Sequence, residues 1–133
     1  MNLMLAPGLL ERVIADAKAS YPREGCGFLV GRRIAERFIP MRNVCSSEVE
    51  YEADPAEVAS AFRGIRETGE TLIAIYHSHP HSPARPSRTD VERSYYPDAA
   101  YLIISLADLE RPQAAAFRIA DGEVLPVEVH VIV

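Results

Sequence analysis

His77 and His79 stand two residues apart in "YHSHP", directly after the apolar run "TLIAI". The chain holds four histidines, and half of them fall in this pentapeptide. On a β-strand, residues two apart share a face, so both imidazoles project together and Ser78 projects the other way. Two neutral imidazoles side by side can hold one divalent metal at about 2.0–2.1 Å per bond. Taken alone, a His-x-His pair at a strand end is more often two surface side chains than a metal site. The residues that follow alter that balance. After His79 come seven residues, then Ser87, two more, then Asp90. A helix capped by Ser87 would carry Asp90 in its first turn, and the proline-rich loop before it could swing Asp90 back to the histidines. Ligands of type His, His and Asp leave a fourth position open, the pattern of catalytic rather than structural zinc.

This spacing resembles the signature of the JAB/MPN (JAMM) zinc metalloproteases. That family also carries an upstream glutamate at the start of a strand with a Gly-x-Leu-x-Gly look. Here "PREGCGFLVG" has Glu24 in the matching place, followed by Gly27, Leu29 and Gly31. "PMRNV" and "YEADPAE" resemble the connecting segments of bacterial members. The likeness runs over roughly residues 20–105.

The resemblance implies one domain over 1–133, an α/β fold whose curved mixed sheet is flanked by helices and is related to the cytidine-deaminase-like architecture. It implies Zn2+ held by His77, His79 and Asp90. A bound zinc lowers the pKa of its water to about 7. Glu24 would hold that water, take its proton and pass it to the leaving amine. Ser87 would donate to the oxyanion, where donors act mainly on the transition state. The implied partner is a small ubiquitin-like or sulfur-carrier protein, cut after its terminal glycines as an extended tail added beside the site. Only 43 residues follow Asp90, and their strand-like patterning leaves little room for the large insertions of ubiquitin-chain enzymes.

Two other functions compete. Some JAB/MPN relatives keep the fold, lose the ligands and act as interaction scaffolds; here every ligand is present. A zinc deaminase would need His-x-Glu and Cys-x-x-Cys, and neither occurs.

The elements that must position these residues can be read from pattern. Leu10, Val13, Ile14 and Ala17 recur at helical spacing, so residues 8–19 read as an amphipathic helix, stopped before Pro22. "GCGFLVGR" and "AERFIPMRNV" read as strands that pair as a hairpin. In "DPAEVASAFRGIRETG", Asp54 is the N-cap, Pro55 the first helical residue, Glu57 the partner in a capping box and Gly69 the stop. "TLIAIYHSH" and "AYLIISL" read as buried strands, "SRTDVERSYY" as a short helix capped by Ser87, and two last strands flank the Asp121-Gly122 turn.

Composition excludes several classes. The chain has 133 residues, 48% hydrophobic and 25% charged, ordinary for a soluble globular protein. A net charge of −5 without a basic block argues against nucleic acid or an anionic membrane as partner. The N-terminal apolar run breaks at Glu11 and Arg12 and has no basic lead, so no signal peptide is read, and no stretch approaches the ~20 apolar residues of a span. Cys26 and Cys45 form neither a Cys-x-x-Cys pair nor a disulfide framework. A cytoplasmic, reduced protein is the expectation. Cys26 reads as a buried thiol without a catalytic role, His81 as a histidine near the site that fills no ligand position, and His130 as structural or exposed.

Overall fold

The computed structural model describes residues 2–133. Its elements are β1 Asn2–Leu5, α1 Leu9–Ser20, β2 Cys26–Gly31, β3 Arg37–Met41, α2 Pro55–Thr68, β4 Thr71–His79, α3 Arg88–Glu92, β5 Ala100–Ser105, β6 Gln113–Ala120 and β7 Glu123–Val131. The strands form a seven-stranded sheet in the order β1-β7-β6-β5-β4-β2-β3. The β1–β7 and β4–β5 pairs are parallel and the others antiparallel, so the fold is the mixed α/β arrangement expected.

Strand alternation divides the core into two layers. Leu29, Ala74, Tyr76, Leu102 and Ile104 pack with Leu9, Val13 and Ala17 of α1. Phe28, Val30, Ile75, Tyr101 and Ile119 pack with Ala61, Val58, Phe62 and Ile65 of α2. The central strands β2, β4 and β5 are covered on both faces, which is why they read as continuous apolar runs. In β4, Ile75 shares its face with His77 and His79, so the histidines belong to the α2 side. Tyr76 and Ser78 belong to the α1 side.

Two details differ from the sequence reading. Residues 2–5 form a strand, read only as the start of the chain, that pairs in parallel with the end of β7. A four-residue strand has too few residues for alternation to be visible, and its partner lies more than 120 residues away. Glu57 does not close a capping box. Asp54 caps α2 by accepting from the Ala56 amide at 2.9 Å, whereas Glu57 reaches out to the Arg42 amide at 3.0 Å. The Asp54 amide is already bonded to the Arg42 carbonyl at 2.9 Å, so the bond that Glu57 would have made is taken by the preceding segment.

Candidate active site

Register brings the candidate residues together. β2 runs antiparallel to β4 with Cys26 opposite His77. One step outward, the Ser78 amide donates to the Gly25 carbonyl at 3.0 Å, and the Gly25 amide donates to Ser78 Oγ at 2.7 Å. Glu24 is the next residue along and therefore arrives beside His79. Gly25 has no room for a side chain: a Cβ there would collide with the Tyr76 hydroxyl and with Asp16. Asn43 donates from Nδ2 to the Glu24 carbonyl at 2.9 Å, while its Oδ1 accepts from the amides of Cys45 and Glu52 at 2.9 and 3.0 Å. One asparagine thus ties the backbone of Glu24 to both ends of the 45–52 loop.

Asp90 comes from the other side. Ser87 caps α3 with a reciprocal capping box: Ser87 Oγ accepts from the Asp90 amide at 3.1 Å, and the Ser87 amide donates to Asp90 Oδ2 at 2.8 Å. The box turns the carboxylate back toward β4. Asp90 Oδ2 lies 3.0 Å from His77 Nε2 and 3.0 Å from His79 Nε2, and the two Nε2 atoms are 3.1 Å apart. One donor atom of each of Glu24, His77 and His79 also falls within 4.8 Å of the others.

The chemistry of this set fits a cation. His79 Nδ1 lies 2.9 Å from the Pro83 carbonyl, a bond that only Nδ1–H can make, so the neutral ring carries a lone pair on Nε2. That lone pair faces a carboxylate oxygen and a second imidazole nitrogen. Such an arrangement is repulsive unless a proton or a metal ion lies between the atoms. A tetrahedral ion with bonds of about 2.0–2.1 Å sets its ligand atoms about 3.3 Å apart, close to the separations seen. Imidazole and carboxylate donors together suit a first-row divalent ion.

Burial sharpens the electrostatics of these side chains. The Glu24 carboxyl is raised to about 8, by burial first, against the pull of His79 and with smaller pushes from Asp90 and Glu50. Glu24 is 3% exposed, and its Oε1 has no hydrogen-bond partner within the protein. Burial would raise Asp90 too, but hydrogen bonds from His77 and His79 hold it well below the usual carboxylate range. Burial depresses His77. It would also depress His79, yet the bonds to Asp90 and the Pro83 carbonyl carry that ring above its ordinary value.

The sequence reading did not single out Tyr51, Asn43 or Ser78. Tyr51 stacks on His77, with centroids 4.8 Å apart and planes 20° from parallel. His77 Nδ1 is buried without a hydrogen-bond partner, so stacking orients this ring where a hydrogen bond orients His79. Ser78 carries a usable signal in hindsight, since alternation aims it away from the histidines and toward the glutamate-bearing turn. Nothing local marks Tyr51. His81 sits at the surface, 3.3 Å from Glu48 and edge-on to Tyr21. His130 is exposed near Glu128. Cys26 is buried, its thiol pushed up to about 12 by burial first and by Asp16, Glu57 and Glu24 after it, which keeps it unreactive. No helix among the described residues is long and apolar enough to cross a membrane.

Residues 6–120 match the family described as prokaryotic homologs of the JAB domain. A CysO-cysteine peptidase of Mycobacterium tuberculosis is 36% identical over 133 residues, covering 98% of this chain and 91% of the relative. A desampylase of Haloferax volcanii is 38% identical over 112 residues, covering 78% of this chain and 81% of the relative. The solution structure of a Desulfitobacterium hafniense protein has a TM-score of 0.88 at 33% identity, covering 98% of this chain and 93% of that one. The crystal structure of a JAB1/MPN domain protein from Archaeoglobus fulgidus, 20% identical with a TM-score of 0.64, covers 98% of this chain and 99% of that one and shares the fold.

Proposed function

The chain belongs to the family of prokaryotic homologs of the JAB domain and is a peptidase of that family, and we propose that it hydrolyses the amide bond after the C-terminal Gly-Gly of a small ubiquitin-like or sulfur-carrier protein. One observation carries the reading. Three ligand atoms converge at 3.0–3.1 Å beside a buried carboxylate whose Oε1 has no partner within the protein. The relatives' names support the substrate class: one is a CysO-cysteine peptidase and the other a desampylase.

His77, His79 and Asp90 would hold Zn2+. The ion supplies Lewis acidity, acidifying water and polarising a carbonyl. Glu24 supplies the proton path. Its Oε1 takes a proton from the attacking water and returns it to the departing amine nitrogen. Burial raises this carboxyl above its ordinary value, and its place beside the ligand atoms lets one carboxylate serve both halves of that transfer. Ser87 Oγ accepts the Asp90 amide hydrogen bond, which leaves its own O–H proton available to donate to the developing oxyanion. His79 keeps its tautomer through Pro83, so Nε2 faces the ion.

Terminal glycines suit this reading: an acyl backbone brought up to these ligands between the β2 entry turn and the 80–87 loop would lie closest where it carries no side chains. The test is a zinc-loaded cleavage assay on a Gly-Gly-ended carrier bearing cysteine or a peptide, beside a carrier whose penultimate glycine is leucine. The first is cut and the second is not. Equal cleavage of both, or of neither, refutes the assignment.

A further inference from the structure

His77 and Asp90 form part of the wall of a cavity of about 420 Å³ that the proton-transfer scheme leaves unused. The sheet contributes Phe28, Ile75, Ile103 and Ile119 to its lining; Val58 of α2 and Tyr96 after α3 also line it. Ile75, Ile103 and Ile119 are buried, whereas Glu52 and Arg93, which also line the cavity, are exposed. The space therefore runs from a polar mouth to an apolar floor, and its volume lies within the roughly 300–1,000 Å³ of small-ligand pockets.

Its occupant is constrained by the substrate proposed above, on which this inference rests. The acyl side of the scissile bond consists of two glycines, which have no side chains to insert. An extended chain advances about 3.3–3.6 Å per residue, so the first acyl residue with a side chain stands roughly 7 Å or more behind the bond. The cavity, by contrast, begins at His77 and Asp90. The nearest side chain that can enter belongs to the residue whose amine departs. We infer that this cavity is the pocket for the leaving residue and selects an α-linked amino acid or peptide with a bulky apolar or aromatic side chain. A cysteine-sized side chain would fill only a small part of it, and an ε-linked lysine would offer an unbranched stem in place of a branched or aromatic side chain.

The full, zinc-loaded chain is offered a Gly-Gly-ended carrier whose leaving residue is glycine, cysteine, leucine or phenylalanine, each α-linked, or an ε-linked lysine. The expected kcat/KM for leucine or phenylalanine exceeds that for glycine at least ~10-fold, the low end of discrimination by an apolar pocket. Val58→Phe, which adds bulk from the helix side, should shrink the phenylalanine-to-glycine ratio. A second measurement needs no turnover: phenylalaninamide at millimolar concentration should shift the δ1-methyl resonances of Ile75, Ile103 and Ile119, and glycinamide should not. Equal kcat/KM across the α-linked series, a preference for the ε-linked lysine, or methyls silent to phenylalaninamide overturns the inference. Responsive methyls with no conjugate cleaved would instead strike the substrate reading and leave the cavity's preference standing.

Discussion

Replacing Glu24 by glutamine separates the chemistry of this residue from the cost of burying it. The carboxyl ordinarily titrates at 4.5 and is raised to about 8 in the folded, metal-free protein, chiefly by burial. Below pH 4.5 the group is protonated in both folded and unfolded chains, and burial carries no electrostatic penalty. Between 4.5 and about 8 the unfolded chain ionises while the folded one does not. Stability falls as pH rises through this window and levels off above it. At about 1.4 kcal/mol per pH unit, the loss accumulates to about 5 kcal/mol by pH 8. Glutamine cannot ionise, so Glu24→Gln escapes the slope. His79 and Asp90 add slopes of their own in both proteins, and the comparison is therefore made by difference. Chelator-treated wild type and variant would be unfolded with urea from pH 4.5 to 9. The variant should gain on the wild type steadily with pH, equivalent near pH 8 to about 10–20 °C in Tm. Loaded with zinc, the same variant should keep its metal and lose at least ~10²-fold in kcat. Parallel stability curves would refute the burial argument, and an active zinc-loaded variant would remove Glu24 from the mechanism.

His77→Ala and Asp90→Ala should each lose most of the zinc, because three protein ligands are already the minimum for a catalytic site; stoichiometric zinc in both variants by elemental analysis would show that the ion binds elsewhere. Ser87→Ala should lose about 1 kcal/mol through its helix cap and 10²–10³-fold in kcat with KM little changed. A variant that melts earlier yet turns over normally would leave only the cap. Tyr51→Ala should weaken zinc affinity roughly 3–10-fold in a chelator competition, the worth of one aromatic stack, while Tyr51→Phe should restore it. Equal affinity in all three proteins would show that the stack does not hold His77.

His77, His79, Ser87 and Asp90 were legible in the sequence as candidates because their pairing depends on short spacing, whereas Glu24 came from the family resemblance alone. His77 and His79 share a face through the two-residue period of a strand, and Ser87 and Asp90 meet through the three-residue reach of a capping box. The same locality made β2 to β7, α1 and the Asp54 cap readable, since periodicity and turn chemistry act over a few residues. Where the chain needed a distant partner, local reading failed or was silent. β1 is held by residues at the far end of the chain, and Glu57 was drawn from its own helix to the Arg42 amide. Only the tertiary structure decided that Glu24 arrives beside His79 through the Gly25–Ser78 bonds, that Asn43 anchors that turn, and that Tyr51 lies on His77. It also enclosed a cavity between the sheet, α2 and the segment after α3. Sequence spacing specifies which side chains share a face; which faces meet depends on strand register and on loops closing over tens of residues, set by burial of the whole core at once.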